Sequence, residues 1–164
     1  MAFSEKTLET LLYMDEGPTL DFKREQYRFY GATKDHKSEL LKDILAFVNT
    51  SRYRTAYILL GVEEVRGEPN KIVGINLHLE DADLHQFVNS KTNRAAEFTY
   101  FPFVVGSKHI GVLRIPIQLR PVYVEKRFGK VDANKVYIRD GSSTRPASPD
   151  EIVAMGRGTP QNGP

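Results

Sequence analysis

Helical and strand patterns follow one another along this 164-residue chain without regular alternation, which predicts a single α+β domain with helices packed on a mixed β-sheet. Three observations carry that expectation. Apolar positions recur at helical spacing in 36–49, an unbroken apolar run fills 56–62, and two aromatic and branched runs flank Gly106-Ser107. With 40% hydrophobic and 27% charged residues the chain can bury a core. The domain is expected over 1–155, with a Gly- and Pro-rich disordered tail at 156–164.

The first helix should start at Ser4, with Phe3 and Leu8 placed as a hydrophobic staple, and end near Met14 before Gly17-Pro18. Residues 19–23 alternate, so Leu20 and Phe22 take one face of a strand while Asp21 and Lys23 project together from the other. The 36–49 helix puts Leu40, Leu41, Ile44, Leu45 and Val48 on one face and Lys42 and Asp43 on the opposite one. The run 56–62 reads as a central buried strand closed by Gly61, and 71–75 as its short partner. A third, largely polar helix covers 79–93, and 98–105 with 109–117 form a hairpin. Segments 121–128 and 135–139 are expected to pair around Gly129. Ser148, Pro149 and Glu151 then punctuate the last helix as cap, first position and capping-box acid.

The absence of cysteine excludes disulfides, thiolate zinc sites, iron–sulfur clusters and cysteine nucleophiles, so any metal must be held by oxygen or imidazole. The four histidines show no helical pairing that would favour a metal site. No stretch reaches 18 uninterrupted apolar residues, and Glu5, Lys6 and Glu9 interrupt the N-terminus, so a cytoplasmic protein without membrane contact is expected.

Net charge is only +2, but it is unevenly spread: 1–25 is net negative by three and 120–145 net positive by four. A basic C-terminal third invites a polyanion, although such a stretch also serves as a solvated face. Around Gly141, the sequence Arg139-Asp-Gly-Ser142-Ser143-Thr144-Arg145 offers hydroxyls and backbone amides beside two guanidinium groups, either a phosphate cradle or an ordinary turn. Tyr27, Phe29 and Tyr30 interleave with Lys23, Arg24 and Arg28, which suits either base stacking or core packing. Glu16, Asp21 and Lys23 in turn lie at the start of one strand, and Glu63 and Glu64 at the end of another. If those ends adjoin, the carboxylates suit Mg²⁺ or Mn²⁺ and phosphodiester hydrolysis; otherwise they are surface acids.

The series Glu16-Gly-Pro-Thr-Leu-Asp21-Phe-Lys23, Leu41-Lys-Asp-Ile-Leu-Ala-Phe-Val-Asn-Thr50, Ile58-Leu-Leu-Gly-Val-Glu63-Glu64, Ile72-Val-Gly-Ile75 and Tyr137-Ile-Arg-Asp-Gly-Ser-Ser-Thr-Arg145 resembles the Schlafen-type AlbA-2 DNA-binding domain family. The resemblance implies binding of DNA or RNA. The expected contacts are Lys23, Arg24, Arg52, Arg54, Lys126, Arg127, Lys130, Arg139, Ser142, Ser143, Thr144 and Arg145. Animal Schlafen members that cut structured RNA imply an alternative, a Mg²⁺- or Mn²⁺-dependent endoribonuclease using Glu16, Asp21 and Glu63 as ligands and catalytic groups with Lys23 beside them. A non-catalytic interaction module is the remaining reading. The family's Asn-Thr-x-Gly-Gly turn is here Asn49-Thr-Ser-Arg-Tyr-Arg-Thr55, with two arginines and no glycine. A homodimer is expected, two-fold pairs being the commonest oligomers.

Overall fold

The structure, a computed structural model, describes residues 2–158. Helix α1 (Glu5–Leu12) is capped by Ser4, which accepts from the Thr7 amide, so the capping box closes on a threonine hydroxyl. The strands β1 (Leu20–Lys23), β2 (Ala56–Leu60), β5 (Thr99–Val105) and β6 (Lys108–Ile115) form a mixed sheet in the order β1-β2-β6-β5, with only β1 and β2 parallel. Residues between them supply the short pair β3 (Val62–Glu63) and β4 (Lys71–Ile72).

Helix α2 (Lys34–Asn49) lies on one face of the sheet, with Leu40, Leu41, Ile44, Leu45 and Phe47 fully buried. Each such side chain contributes about 1.5–3 kcal/mol by leaving water. The opposite face is covered by α1, where Phe3 packs edge-on against Phe101 and Phe103. Helix α3 (Asp81–Asn89) anchors through Leu84 and Val88, and its Asp81 accepts from the Tyr100 amide at 2.7 Å. That bond, with Pro102 two residues further on, leaves the β5 edge few donors for a further strand. Helix α4 (Pro149–Gly158) has the expected cap: Ser148 and Glu151 satisfy each other's amides at 2.8 and 3.3 Å.

Three expectations need correction. The apolar run 56–62 is not one strand, because Gly61 (φ 98°) turns the chain between β2 and β3 and sits against the Gly74 backbone, where a Cβ would come within 3.1 Å. Residues 121–128 do not pair with 135–139. The Val122 and Tyr123 amides are instead taken by the Asn49 and Asn93 side chains, and β7 (Tyr137–Asp140) pairs with β8 (Ser143–Pro146). Finally, α4 continues through Gly158, into the stretch expected to be a tail; residues 159–164 of that tail lie outside the described residues.

Candidate functional site

The alternation of β1 does what its sequence demands: Leu20 and Phe22 enter the α1 side, and Asp21 and Lys23 face α2. There they meet a charge that the helical pattern had assigned to solvent. Lys23 Nζ lies 3.2 Å from Asp21 Oδ2 and 3.3 Å from Asp43 Oδ2, and Tyr27 donates its hydroxyl to Asp43 at 2.5 Å. Arg139 reaches the same cluster from β7, 3.5 Å from Asp21 Oδ1. Burial lowers the Lys23 ammonium, but the two carboxylates outweigh it and the group is raised. Burial raises the Asp43 carboxyl, opposed by Lys23 and Tyr27. Two acids and two bases thus balance, with Asp21 and Arg139 buried and Asp43 and Lys23 half-buried toward the groove, as charges withdrawn from water require.

Glu16 approaches from the turn before β1 and accepts from the Phe22 amide at 3.0 Å. Burial, the hydrogen bond to Asp21, and the charges of Asp21 and Glu64 raise its carboxyl to about 7, with the Phe22 amide pulling the other way. Of the two acids that follow β2, it is Glu64 that adds to the effect of Asp21 on Glu16. Glu63 instead ion-pairs with Arg24 at 3.1 Å, near the surface. Among the described residues no group of three or more His, Asp or Glu side chains is arranged to hold a metal ion. Asp21 faces two cations, and Glu63 is held elsewhere by Arg24, so the donor set Glu16, Asp21 and Glu63 does not fit Mg²⁺ or Mn²⁺ as one centre.

The expected nucleic-acid contacts separate into groups. Arg139 is a core residue: its guanidinium bonds the Gly17 and Leu20 carbonyls and stacks 4.6 Å over Phe47. Arg52 spends its donors on the carbonyls of Phe47, Arg54, Ile115 and Pro116, so it cross-links the end of α2 to the end of β6. Arg145 bonds Glu151 through two nitrogens at 2.9 and 2.8 Å and Asp140 at 2.7 Å. Arg145 holds the Glu151 carboxyl down at about 2, helped by the Ser148 amide. Ser142, Ser143 and Thr144 belong to the β7–β8 hairpin, whose turn uses Gly141 at φ 62°, and the Ser143 hydroxyl donates to Asp140. The supposed cradle is a hairpin whose nearest arginine is already neutralised. Arg54 is exposed.

Lys126, Arg127 and Lys130 are exposed on a loop seated against the first turns of α2. Gly129 allows this approach, since a Cβ there would come within 2.5 Å of the Lys34 carbonyl and the Ser38 hydroxyl. The Lys130 amide donates to Ser38, and Arg127 Nε bonds Gly129 and lies 3.8 Å from Asp132. Arg28, bonded to His36 at 3.2 Å, and Lys34 and Lys37 complete a basic surface at this end of the helix. Beside it opens a groove of about 670 Å³ lined by Lys23, Arg24, Arg28, His36 and Lys42 and by the acids Glu25, Glu39 and Asp43. Lys34, His36, Lys37 and Lys42 were not singled out from the sequence as contacts, and only their density within 34–42 hints at them, whereas Arg28 belongs to the basic and aromatic interleaving of 23–30. Tyr27 and Phe29 are core residues, 7% and 8% exposed, so the stacking alternative for them fails.

The family described as Schlafen, AlbA_2 matches residues 16–148, and the chain belongs to it. Among solved structures, the chain is similar to the DIP2311 protein from Corynebacterium diphtheriae (17% identity, TM-score 0.59), covering 93% of this chain and 28% of that one. It is also similar to the N-terminal domain of an ATP-dependent DNA helicase RecG-related protein from Nitrosomonas europaea (21% identity, TM-score 0.51), covering 90% of this chain and 95% of that domain. At these identities the likeness concerns the fold. No curated protein matches the chain. Among the described residues no helix is long and apolar enough to cross a membrane.

Proposed function

We propose that this domain binds nucleic acid through its phosphate backbone, across the basic end of α2 and the groove beside it. The observation that carries the reading is the seating of the Lys126, Arg127 and Lys130 loop on the turns of α2 that carry Lys34 and Lys37, with Arg28 bonded to His36 beside them. The amino end of a helix adds its own positive potential to those side chains. Family membership and the helicase-related neighbour support a nucleic-acid partner. Binding is preferred to hydrolysis because Asp21 and Glu63 are both engaged by cationic side chains. Pairing of two copies, which would double the charged surface, forms part of the proposal and is read by sedimentation.

The test is fluorescence anisotropy of labelled duplex and single-stranded DNA and RNA over a range of salt. Each phosphate contact contributes about 0.7–0.9 to the slope of log affinity against log salt, so replacing Lys126, Arg127 and Lys130 by alanine lowers that slope by about two to three. Binding that ignores salt, or a slope that the triple substitution leaves unchanged, contradicts the proposal. Cleavage of the labelled strand that requires Mn²⁺ and is lost in Asp21→Asn would restore the nuclease reading.

A further inference from the structure

At the carboxyl end of α2, far along the helix from the basic surface, two guanidinium groups share a notch. Arg52 and Arg120 both line a small cavity of about 70 Å³, together with Ser51 and Thr50. That is the volume of about two liquid waters, and it suits a tetrahedral oxyanion. Neither arginine has a carboxylate partner among the described residues. Arg52 is bonded only to backbone carbonyls, and Arg120 makes one hydrogen bond, from Nη1 to the Asn49 carbonyl at 2.8 Å. The Nε–H and Nη2–H of Arg120 therefore have no protein acceptor there. They are the edge of the guanidinium that receives two oxygens of a phosphate.

The arrangement contrasts with Arg139 and Arg145, which meet carboxylates. Arg139 has Asp21, and Arg145 has Asp140 and Glu151. Burial lowers both Arg52 and Arg120, and Arg120 adds a like charge against Arg52. Arg52 donates twice to the Phe47 carbonyl in the last turn of α2 and offsets the negative end of the helix, so it supplies charge where Arg120 supplies donors. The hydroxyl of Ser51 borders the same notch and is exposed. The two arginines of the 49–55 turn had marked it as a departure within the sequence, and Arg52 is one of them.

We infer that Arg120, Ser51 and Arg52 form a binding site for a phosphate monoester, independent of the surface proposed above. The same chemistry is carried by inorganic phosphate, a mononucleotide and the terminal phosphate of an oligonucleotide, and the test separates them. NMR spectra of the Ser51 amide and the Arg120 Nε–H are recorded while each is added at constant ionic strength, with a 5′-hydroxyl oligonucleotide as control.

Saturable shifts of both signals are expected with at least one phosphate monoester. Arg120→Gln should weaken that binding roughly ten- to a hundredfold, since a charge-assisted pair of donors is lost. Because Arg120 also bonds Asn49, Ser51→Asp serves as a second variant: it places a carboxylate in the notch, leaves the Arg120 cap in place and should abolish the shifts. Failure of all three phosphate compounds to shift these signals overturns the inference, as does binding that both substitutions leave intact.

Discussion

Replacing Arg139 by methionine separates the two roles that sequence and structure give it. The side chain is only 4% exposed, lies within 3.5 Å of Asp21, bonds the Gly17 and Leu20 carbonyls and stacks on Phe47. Methionine keeps much of the packing volume but leaves Asp21 with one cation and two carbonyls without their donors. Removing one partner of a buried charge pair costs about 3–5 kcal/mol. For a domain of this size, about 2–4 °C per kcal/mol converts that to a fall in Tm of roughly 6–20 °C. Urea denaturation should show a lower midpoint with little change in slope. The double variant Asp21→Asn, Arg139→Met should lose less than the sum of its parts, because the stranded carboxylate is then gone. A Tm within about 2 °C of the parent, together with weakened nucleic-acid binding, would refute the assignment of Arg139 to the core and return it to the surface.

Other substitutions probe the same cluster. The folded-state pKa of Glu16 lies above its ordinary value, so its contribution to stability is fully present below about 4.5 and is lost as pH rises through about 7. Glu16→Gln should therefore flatten the fall in stability between pH 5 and 8, by about 1–2 kcal/mol once partial exposure is discounted, as measured by denaturation at each pH; an unchanged profile would contradict the crowding of Glu16, Asp21 and Glu64. Tyr27→Phe removes the hydroxyl donated to half-buried Asp43 and should cost about 1.5–3 kcal/mol in chemical denaturation, with no change in the salt dependence of binding. A loss below about 0.5 kcal/mol would mean that Asp43 is sufficiently held by Lys23.

Much of this architecture was legible before any coordinates. The alternation of Leu20, Asp21, Phe22 and Lys23 assigns both faces of β1, and the Ser148, Pro149 and Glu151 punctuation fixes the start of α4. What escaped was long-range. Asp43 sits among polar neighbours on a helix whose apolar stripe lies elsewhere, and its burial depends on Lys23 and Tyr27, contributed by a segment that precedes α2. Arg139 adjoins a run of turn residues and was grouped with them. Its inward direction follows from β7 packing on α2, which sets the guanidinium over Phe47 and which local patterning does not show. Likewise, 121–128 has strand-like composition, but side chains of Asn49 and Asn93 satisfy two of its amides. Glu63 ends β3 and Glu64 follows it, and the two adjacent acids part: one meets Arg24 and the other acts on Glu16.

Where a nucleic acid touches the domain is read most directly by amide chemical-shift mapping on addition of a short duplex at low salt. Perturbations should concentrate at Arg28, Lys34, His36, Lys37 and the 126–130 loop, and leave Ser142, Ser143 and Thr144 of the β7–β8 hairpin unmoved. Shifts confined to that hairpin, with the amino end of α2 silent, would contradict the proposed interface.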